Sequence, residues 1–91
     1  MDDRSAPQHA LNDIEVKIDE IYVPVKRKHD LKPEVVEELA ESIIENGLQV
    51  PINVRHDGKR YILVSGLHRL EACRALGEES ITAVLVRARQ H

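Results

Sequence analysis

The chain alternates segments with helical hydrophobic spacing and segments with strand-like spacing, and the clearest helical segment covers residues 33–46. Its apolar residues recur at i, i+3, i+4 and i+7, and most positions between them are glutamates. These apolar residues are Val35, Val36, Leu39, Ala40, Ile43 and Ile44. Pro33 suits the first helical turn, and Gly47 suits the residue after the last turn. The pattern predicts an amphipathic helix with an acidic, solvated outer face.

Strand-like patterns flank this helix on both sides. Before it, apolar residues approach period-2 alternation with charged residues, and Pro24 limits the strand. These residues are Ile14, Val16, Ile18 and Ile21. After the helix, residues 51–55 and 60–64 predict two strands joined around an Asp-Gly dipeptide, which is typical of hairpin turns. Residues 81–86 predict a last, buried strand.

A second, shorter helix is predicted over residues 67–76, and Gly77 suits its end. Its buried side chains would be Leu70, Cys73 and Leu76. The predicted order is strand, helix, strand, strand, helix, strand. This order predicts a small α/β domain of the mixed α+β kind.

Two segments lack a periodic pattern. Residues 1–12 mix charged and small polar side chains and predict a flexible N-terminal tail, so the folded domain is expected over residues 13–91. Residues 25–32 predict a polar loop in which four residues are basic.

The composition of the chain argues against some classes of function. With 91 residues and 42% hydrophobic content, the chain has enough apolar side chains for a single core. Its net charge of −3 argues against a free-standing DNA-binding module, because non-specific DNA affinity requires an excess of Lys and Arg. No apolar run approaches the ~20 residues of a membrane span, and the N-terminus has no signal-peptide core. We therefore expect a cytoplasmic protein.

Cysteine and aromatic usage exclude further kinds of site. Cys73 is the only cysteine, so the chain can form neither an intramolecular disulfide nor a multi-cysteine zinc site. It is expected to be an ordinary core thiol. Tyr22 and Tyr61 are the only aromatic residues, too few for the stacking platform that binds single-stranded nucleic acid.

Gly66, His68 and Arg69 form the main candidate site. They lie where a predicted strand turns into a predicted helix, and the free N–H groups of a helix N-terminus favour anions. Arg69 offers a planar fork for phosphate oxygens, and His68 offers an imidazole. Alternatively, Arg69 pairs with Glu71 or with a glutamate of the first helix, and His68 caps a neighbouring group.

Two stretches of the chain resemble a known superfamily. The first is L-K-P-E-V-V-E-E-L-A-E-S-I-I-E-N-G-L-Q-V-P-I-N-V-R, and the second is Y-I-L-V-S-G-L-H-R-L-E-A-C-R-A-L-G. Their order of features is similar to that of the N-terminal domain of ParB partition proteins and of the related sulfiredoxins. These features are a glutamate-rich helix, then Gly and Pro-Ile-x-Val-Arg, a strand and a Gly-x-x-Arg turn. The resemblance implies the fold of that superfamily.

The resemblance also implies a nucleotide site. Carried over to this chain, Gly66, His68 and Arg69 would hold the phosphates of CTP or ATP, with Mg²⁺ as a companion ion. Ser42 would face the nucleotide from the first helix. One of Arg27 or Lys28 would reach the site from the basic loop.

Departures from the relatives limit the implied chemistry. Leu67 and His68 stand where CTP-hydrolysing partition proteins carry Glu and Arg. Leu67 also replaces the catalytic cysteine of sulfiredoxins, so sulfinic acid reduction is not expected. ParB-like serine kinases use a Gly-His-His-Arg turn and an acidic residue before the first helix, and Asp30 is the candidate base here. The chain ends at His91, so we expect a stand-alone domain without helix-turn-helix or dimerisation regions.

The sequence thus predicts a nucleotide-binding ParB-like domain that acts in plasmid or chromosome partition, or in gene regulation, through a protein partner or a homodimer. The alternative is a ParB-like small-molecule kinase or ATPase. A ParB-like DNA-binding or nuclease role ranks third, because the sequence lacks the clustered carboxylates of a two-metal nuclease.

Overall fold

A five-stranded mixed sheet organises the molecule. The computed structural model describes residues 13–47 and 50–87, so the predicted tail over residues 1–12 lies outside the described residues. The strands are β1 (Asp13–Lys17), β2 (Ile21–Tyr22), β3 (Ile52–His56), β4 (Tyr61–Ser65) and β5 (Ser80–Leu85). The helices are α1 (Val25–Lys28), α2 (Pro33–Asn46) and α3 (Leu67–Ala75). The strand order across the sheet is β1–β5–β3–β4–β2.

Strand β3 lies at the centre of this sheet. It pairs parallel with β5 and antiparallel with β4. The predicted hairpin between β3 and β4 is confirmed, and its turn is held by Asp57, whose Oδ1 accepts the N–H groups of Lys59 at 2.9 Å and Arg60 at 3.0 Å. These two hydrogen bonds to the carboxylate lower the pKa of Asp57.

The core lies between the sheet and one layer of helices. Leu70, Ala72 and Cys73 of α3 are fully buried against the sheet, which contributes Val54 and Ala83. Helix α2 packs against α3. Its side chains at the core are the buried Ile43 and the partly buried Val36, Leu39 and Ala40. Helices α2 and α3 therefore cover one face of the sheet.

The predicted first strand is interrupted. A 3-10 turn at Ile18–Glu20 separates β1 from β2, and β2 pairs parallel with β4 at the opposite edge of the sheet. The three-residue step from Ile18 to Ile21 breaks the period-2 pattern, and both side chains are buried. The turn thus carries the chain across the molecule without exposing either isoleucine.

The sequence expectation also differs from the structure at the polar loop and at the end of the second helix, and each of the last three strands is displaced by one residue. The predicted polar loop contains the single helical turn α1, in which the N–H groups of Arg27 and Lys28 bond to the Pro24 carbonyl. Helix α3 ends at Ala75, one residue earlier than predicted.

None of the helices in residues 13–47 and 50–87 has the length and apolar content that crossing a membrane requires.

Candidate functional site

Gly66 shapes the turn from β4 into α3. Its φ of 105° and ψ of 27° are left-handed, a backbone conformation that residues other than glycine rarely adopt. A methyl group at this position would also lie 2.6 Å from Cγ2 of Ile52. The backbone at Gly66 therefore approaches β3 closely, and glycine has a structural reason here independent of any ligand.

The first turn of α3 presents uncapped N–H groups. The first intrahelical bond runs from the Leu70 N–H to the Gly66 carbonyl at 2.9 Å, and no side chain caps this end. Within the described residues, the N–H groups of Leu67, His68 and Arg69 have no backbone acceptor. These are the donors that make a helix N-terminus attractive to an anion.

His68 joins the N-termini of α2 and α3. Its Nε2 accepts the backbone N–H of Lys32 at 3.0 Å, and Lys32 is the N-cap residue of α2. A ring nitrogen that accepts a hydrogen bond carries no proton, so this contact requires a neutral imidazole with its proton on Nδ1. His68 thus caps a neighbouring group, as one sequence alternative expected, and in doing so brings two positive helix ends together.

Arg69 is half-buried and has no ion pair with a carboxylate in residues 13–47 or 50–87. Glu71, one of its candidate partners, instead accepts Arg74 Nε at 3.3 Å. Arg69 is close enough to Cys73 to oppose the upward shift of the thiol's pKa, which burial and the Glu78 charge cause. Arg69 therefore adds to the first turn of α3 a cation that has no carboxylate partner among the described residues. We call Lys32, Gly66, His68 and Arg69 the corner.

The chain that leads to the corner is also basic. Four lysine and arginine residues fall within residues 26–32, whereas Asp30 is the only carboxylate in that segment. None of these four basic residues is ion-paired with a carboxylate of the described part of the chain. The segment that leads to the corner thus carries a charge opposite in sign to the net charge of −3.

The remaining predicted site residues lie at different distances from the corner. Ser42 is exposed on α2 and accepts Asn46 Nδ2 at 3.2 Å. It follows Lys32 by ten residues, or about 15 Å along the helix axis. A nucleoside triphosphate could span that separation, whereas a single phosphate could not.

Arg27, Lys28 and Asp30 belong to the connection between β2 and α2. Arg27 lines a groove on the sheet face opposite the helices, together with Arg55 and Ile62. Lys28 ends α1, four residues before Lys32. Asp30 lies in the exposed turn after α1, and its N–H bonds to the Arg27 carbonyl at 3.0 Å. Of the two basic candidates, Lys28 is the one nearer the corner along the chain.

Neither Leu67 nor Cys73 gives the corner a reactive thiol. Leu67 is 8% exposed and packs into the core. Cys73 is fully buried on α3, as the sequence predicts for a core thiol. Burial and the Glu78 charge raise the pKa of Cys73, which disfavours the reactive thiolate.

Sequence reasoning missed Lys32 as part of the corner. It contributes a backbone N–H, a group that every residue except proline carries, so its side chain does not indicate this role. The one indication is its position immediately before Pro33, where the chain enters α2.

Comparison with known proteins now assigns the family. The model described as the ParB N-terminal domain matches residues 3–91. The chain belongs to this family. This ParB-like domain is 38% identical over 71 residues to the probable chromosome-partitioning protein ParB of Campylobacter jejuni, which covers 77% of this chain and 26% of that protein. It is also 38% identical over 68 residues to sulfiredoxin of Arabidopsis thaliana, which covers 75% of this chain and 54% of that protein.

Solved structures confirm the predicted fold. The crystal structure of the Arabidopsis sulfiredoxin matches with a TM-score of 0.74 and 34% identity, covering 84% of this chain and 85% of that chain. The C-terminally truncated ParB from Caulobacter crescentus, complexed with CTP-γ-S, matches with a TM-score of 0.72 and 24% identity, covering 88% and 47%. The ParB-like domain spans about a quarter of the length of its Campylobacter relative and about half of sulfiredoxin.

Proposed function

We propose that this ParB-like domain binds a nucleoside triphosphate, CTP or ATP, with its phosphates at the corner. The observation that carries the proposal is the convergence of two helix N-termini, joined by the contact between His68 and Lys32. Arg69 lies in the first turn of one of these helices and has no carboxylate partner among the described residues. Such an arrangement concentrates positive potential without a compensating carboxylate. An anion is the ligand that would relieve it.

The relatives support a nucleotide rather than free phosphate. The Caulobacter ParB structure is a complex with CTP-γ-S, and this chain shares its fold, which supports a nucleotide as the ligand. Lys28 and Ser42 would then extend the contacts along the nucleotide. No group of three or more His, Cys, Asp or Glu that could hold a metal occurs in residues 13–47 and 50–87. A magnesium ion would be held chiefly by the phosphates.

We further propose that nucleotide binding serves partition or gene regulation through a protein partner. ParB relatives are partition proteins, and they are longer than this chain. Asp30 remains a predicted base for phosphoryl transfer, and turnover of the nucleotide would reveal such an activity.

A ligand panel tests the proposal. Melting temperatures and calorimetric titrations with CTP, ATP, GTP and their diphosphates, with and without magnesium, would measure binding to the folded chain. At least one triphosphate should raise the melting temperature, since a ligand that binds only the folded state stabilises it by mass action. If no nucleotide shifts the transition at millimolar concentration, the corner is a purely structural joint. Product formation in the same samples would distinguish a kinase or ATPase from a binding module.

A further inference from the structure

The sheet face opposite α2 and α3 carries a groove that the nucleotide proposal does not use. Strand residues alternate between faces, so Arg55, Ile62 and Val64 point away from the core that Val54 and Leu63 enter. Arg55 and Ile62 are direct cross-strand partners. Ile62 is only 7% exposed yet lies outside the core cluster, so it is buried on this second face.

The groove has an apolar floor and a cationic rim. It encloses about 670 Å³. Its floor includes Ile62, Val64 and Val86, and Pro24 adds to the apolar surface. The cations that line it are Lys26 and Arg27 from α1, Arg55 from β3 and Arg87 after β5. They come from three separate parts of the chain, so folding gathers them.

These four cations have no carboxylate partner in the part of the chain that the structure describes. No carboxylate lines the groove, and none of the four is ion-paired within residues 13–47 and 50–87. The chain as a whole has a net charge of −3, so a concentration of unpaired cations is unusual for it. Charge complementarity therefore calls for an anionic partner.

The apolar floor decides which anionic partner fits. A nucleic acid backbone would leave the apolar floor unused, and neither tyrosine lines the groove. Tyr61 lies against His56, and the ring of Tyr22, the cross-strand neighbour of Ile62, is covered by the Arg60 guanidinium. A free phosphate would fill little of the volume. An acidic protein segment offers carboxylates for the rim and an aliphatic side chain for the floor.

We propose that the groove docks an acidic segment of a partner protein, with an apolar side chain on Ile62 and Val64 and carboxylates on the surrounding cations. This docking surface is separate from the corner, and the proposal does not depend on nucleotide binding. It would give a small ParB-like domain a way to recruit a partner through the face that α2 and α3 leave open.

The probe is a short capped peptide of alternating glutamate and leucine, titrated into the ¹⁵N-labelled chain. Amide signals of α1, β3 and β4 should shift at the groove, whereas those of Gly66 to Arg69 should not. The variant Lys26→Gln/Arg27→Gln should weaken binding about tenfold or more, because each charge-assisted contact is strong. Lys59→Gln/Arg60→Gln removes the same charge from the hairpin turn and should leave the affinity unchanged.

Companion probes separate the alternatives. A lysine–leucine peptide and a glutamate–serine peptide should both bind more weakly than the glutamate–leucine peptide. The proposal is overturned if the glutamate–leucine peptide causes no shifts at millimolar concentration, or if both charge variants weaken it equally. It is likewise overturned if a short oligothymidylate binds the same residues more tightly, which would make this face a nucleic acid site.

Discussion

At the scale of single residues, Arg69 is the most informative side chain of the corner. We expect Arg69→Ala to weaken nucleotide binding by about 1.5–3 kcal/mol, because a charge-assisted hydrogen bond to phosphate is lost. The free protein should lose little stability, since Arg69 has no ion pair among the described residues. Removing a cation from the positive end of α3 should even offset part of any lost packing, by about 0.3–1 kcal/mol.

Arg74→Ala is the matched control for Arg69. Arg74 lies on the same helix and pairs with Glu71 at 3.3 Å and with Asp19 at 3.8 Å. Its loss should leave nucleotide affinity unchanged and affect stability only slightly, as exposed ion pairs do. Urea unfolding and calorimetry on both variants would decide. A large drop in stability with unchanged nucleotide affinity for Arg69→Ala would make Arg69 a structural residue.

His68 should position the N-terminus of α2 through one particular nitrogen. Gln at position 68 places its oxygen near the position of Nε2, whereas Asn places its oxygen nearer to Nδ1. We therefore expect His68→Gln to keep the acceptor for the Lys32 N–H and His68→Asn to lose it, at a cost of about 1 kcal/mol. Hydrogen exchange of the Lys32 amide would measure the difference.

The tautomer of His68 provides a direct spectroscopic check. Ring ¹⁵N shifts should show a protonated Nδ1 and an unprotonated Nε2 in the free protein, because Nε2 accepts a hydrogen bond. The opposite tautomer, or equal Lys32 exchange in the Gln and Asn variants, would contradict the role of His68 as a joint between α2 and α3.

At the scale of elements, the start of α3 depends on Gly66. Gly66→Ala combines a positive φ, a strain of about 1–3 kcal/mol, with a 2.6 Å approach to Ile52 Cγ2. Gly77→Ala is a control, because Gly77 has a φ of 84° and no atom within 4 Å of the added methyl group. Urea melts should show a larger loss for Gly66→Ala than for Gly77→Ala. Equal losses would mean that contact with Ile52 costs nothing.

Local signals explain which elements the sequence predicted. Helix α2 lies over the predicted residues, because its apolar spacing is regular and Pro33 and Gly47 mark its ends. Strand β2 and helix α1 contain two and four residues, which is too short for a periodic pattern. Strand β2 also exists only through its pairing with β4, a long-range contact that no local pattern encodes.

Local sequence signals predicted one part of the candidate site, whereas the other part depends on a long-range contact. Gly66 and the start of α3 were predictable, since a glycine between a strand-like and a helix-like segment indicates such a turn. The contact between His68 and Lys32 was not, because it joins residues 36 positions apart and depends on how α2 packs against α3. Sequence therefore predicted the anion-binding end of one helix but not its meeting with a second.

At the scale of the whole molecule, an acidic chain gathers cations in two places. The corner lies at the N-termini of α2 and α3, and the groove lies on the opposite face of the sheet. Helix α1 connects them, because Lys26 and Arg27 line the groove and the chain reaches the corner at Lys32. The family resemblance implied that one of Arg27 or Lys28 contacts the nucleotide. Arg27 lies in the groove, which favours Lys28 for that role.

Double variants should establish whether the two places act independently. We expect Lys26→Gln/Arg27→Gln to leave nucleotide affinity unchanged and Arg69→Ala to leave binding of the glutamate–leucine peptide unchanged. Combined in one chain, the changes in binding free energy should add within about 0.3–0.5 kcal/mol, as they do for separated sites without shared partners. Calorimetric titration of each variant with the nucleotide and with the peptide measures these changes in binding free energy. A loss of nucleotide affinity in Lys26→Gln/Arg27→Gln comparable to that in Arg69→Ala would place Lys26 or Arg27 in the nucleotide site, to which the family resemblance assigned one of Arg27 or Lys28.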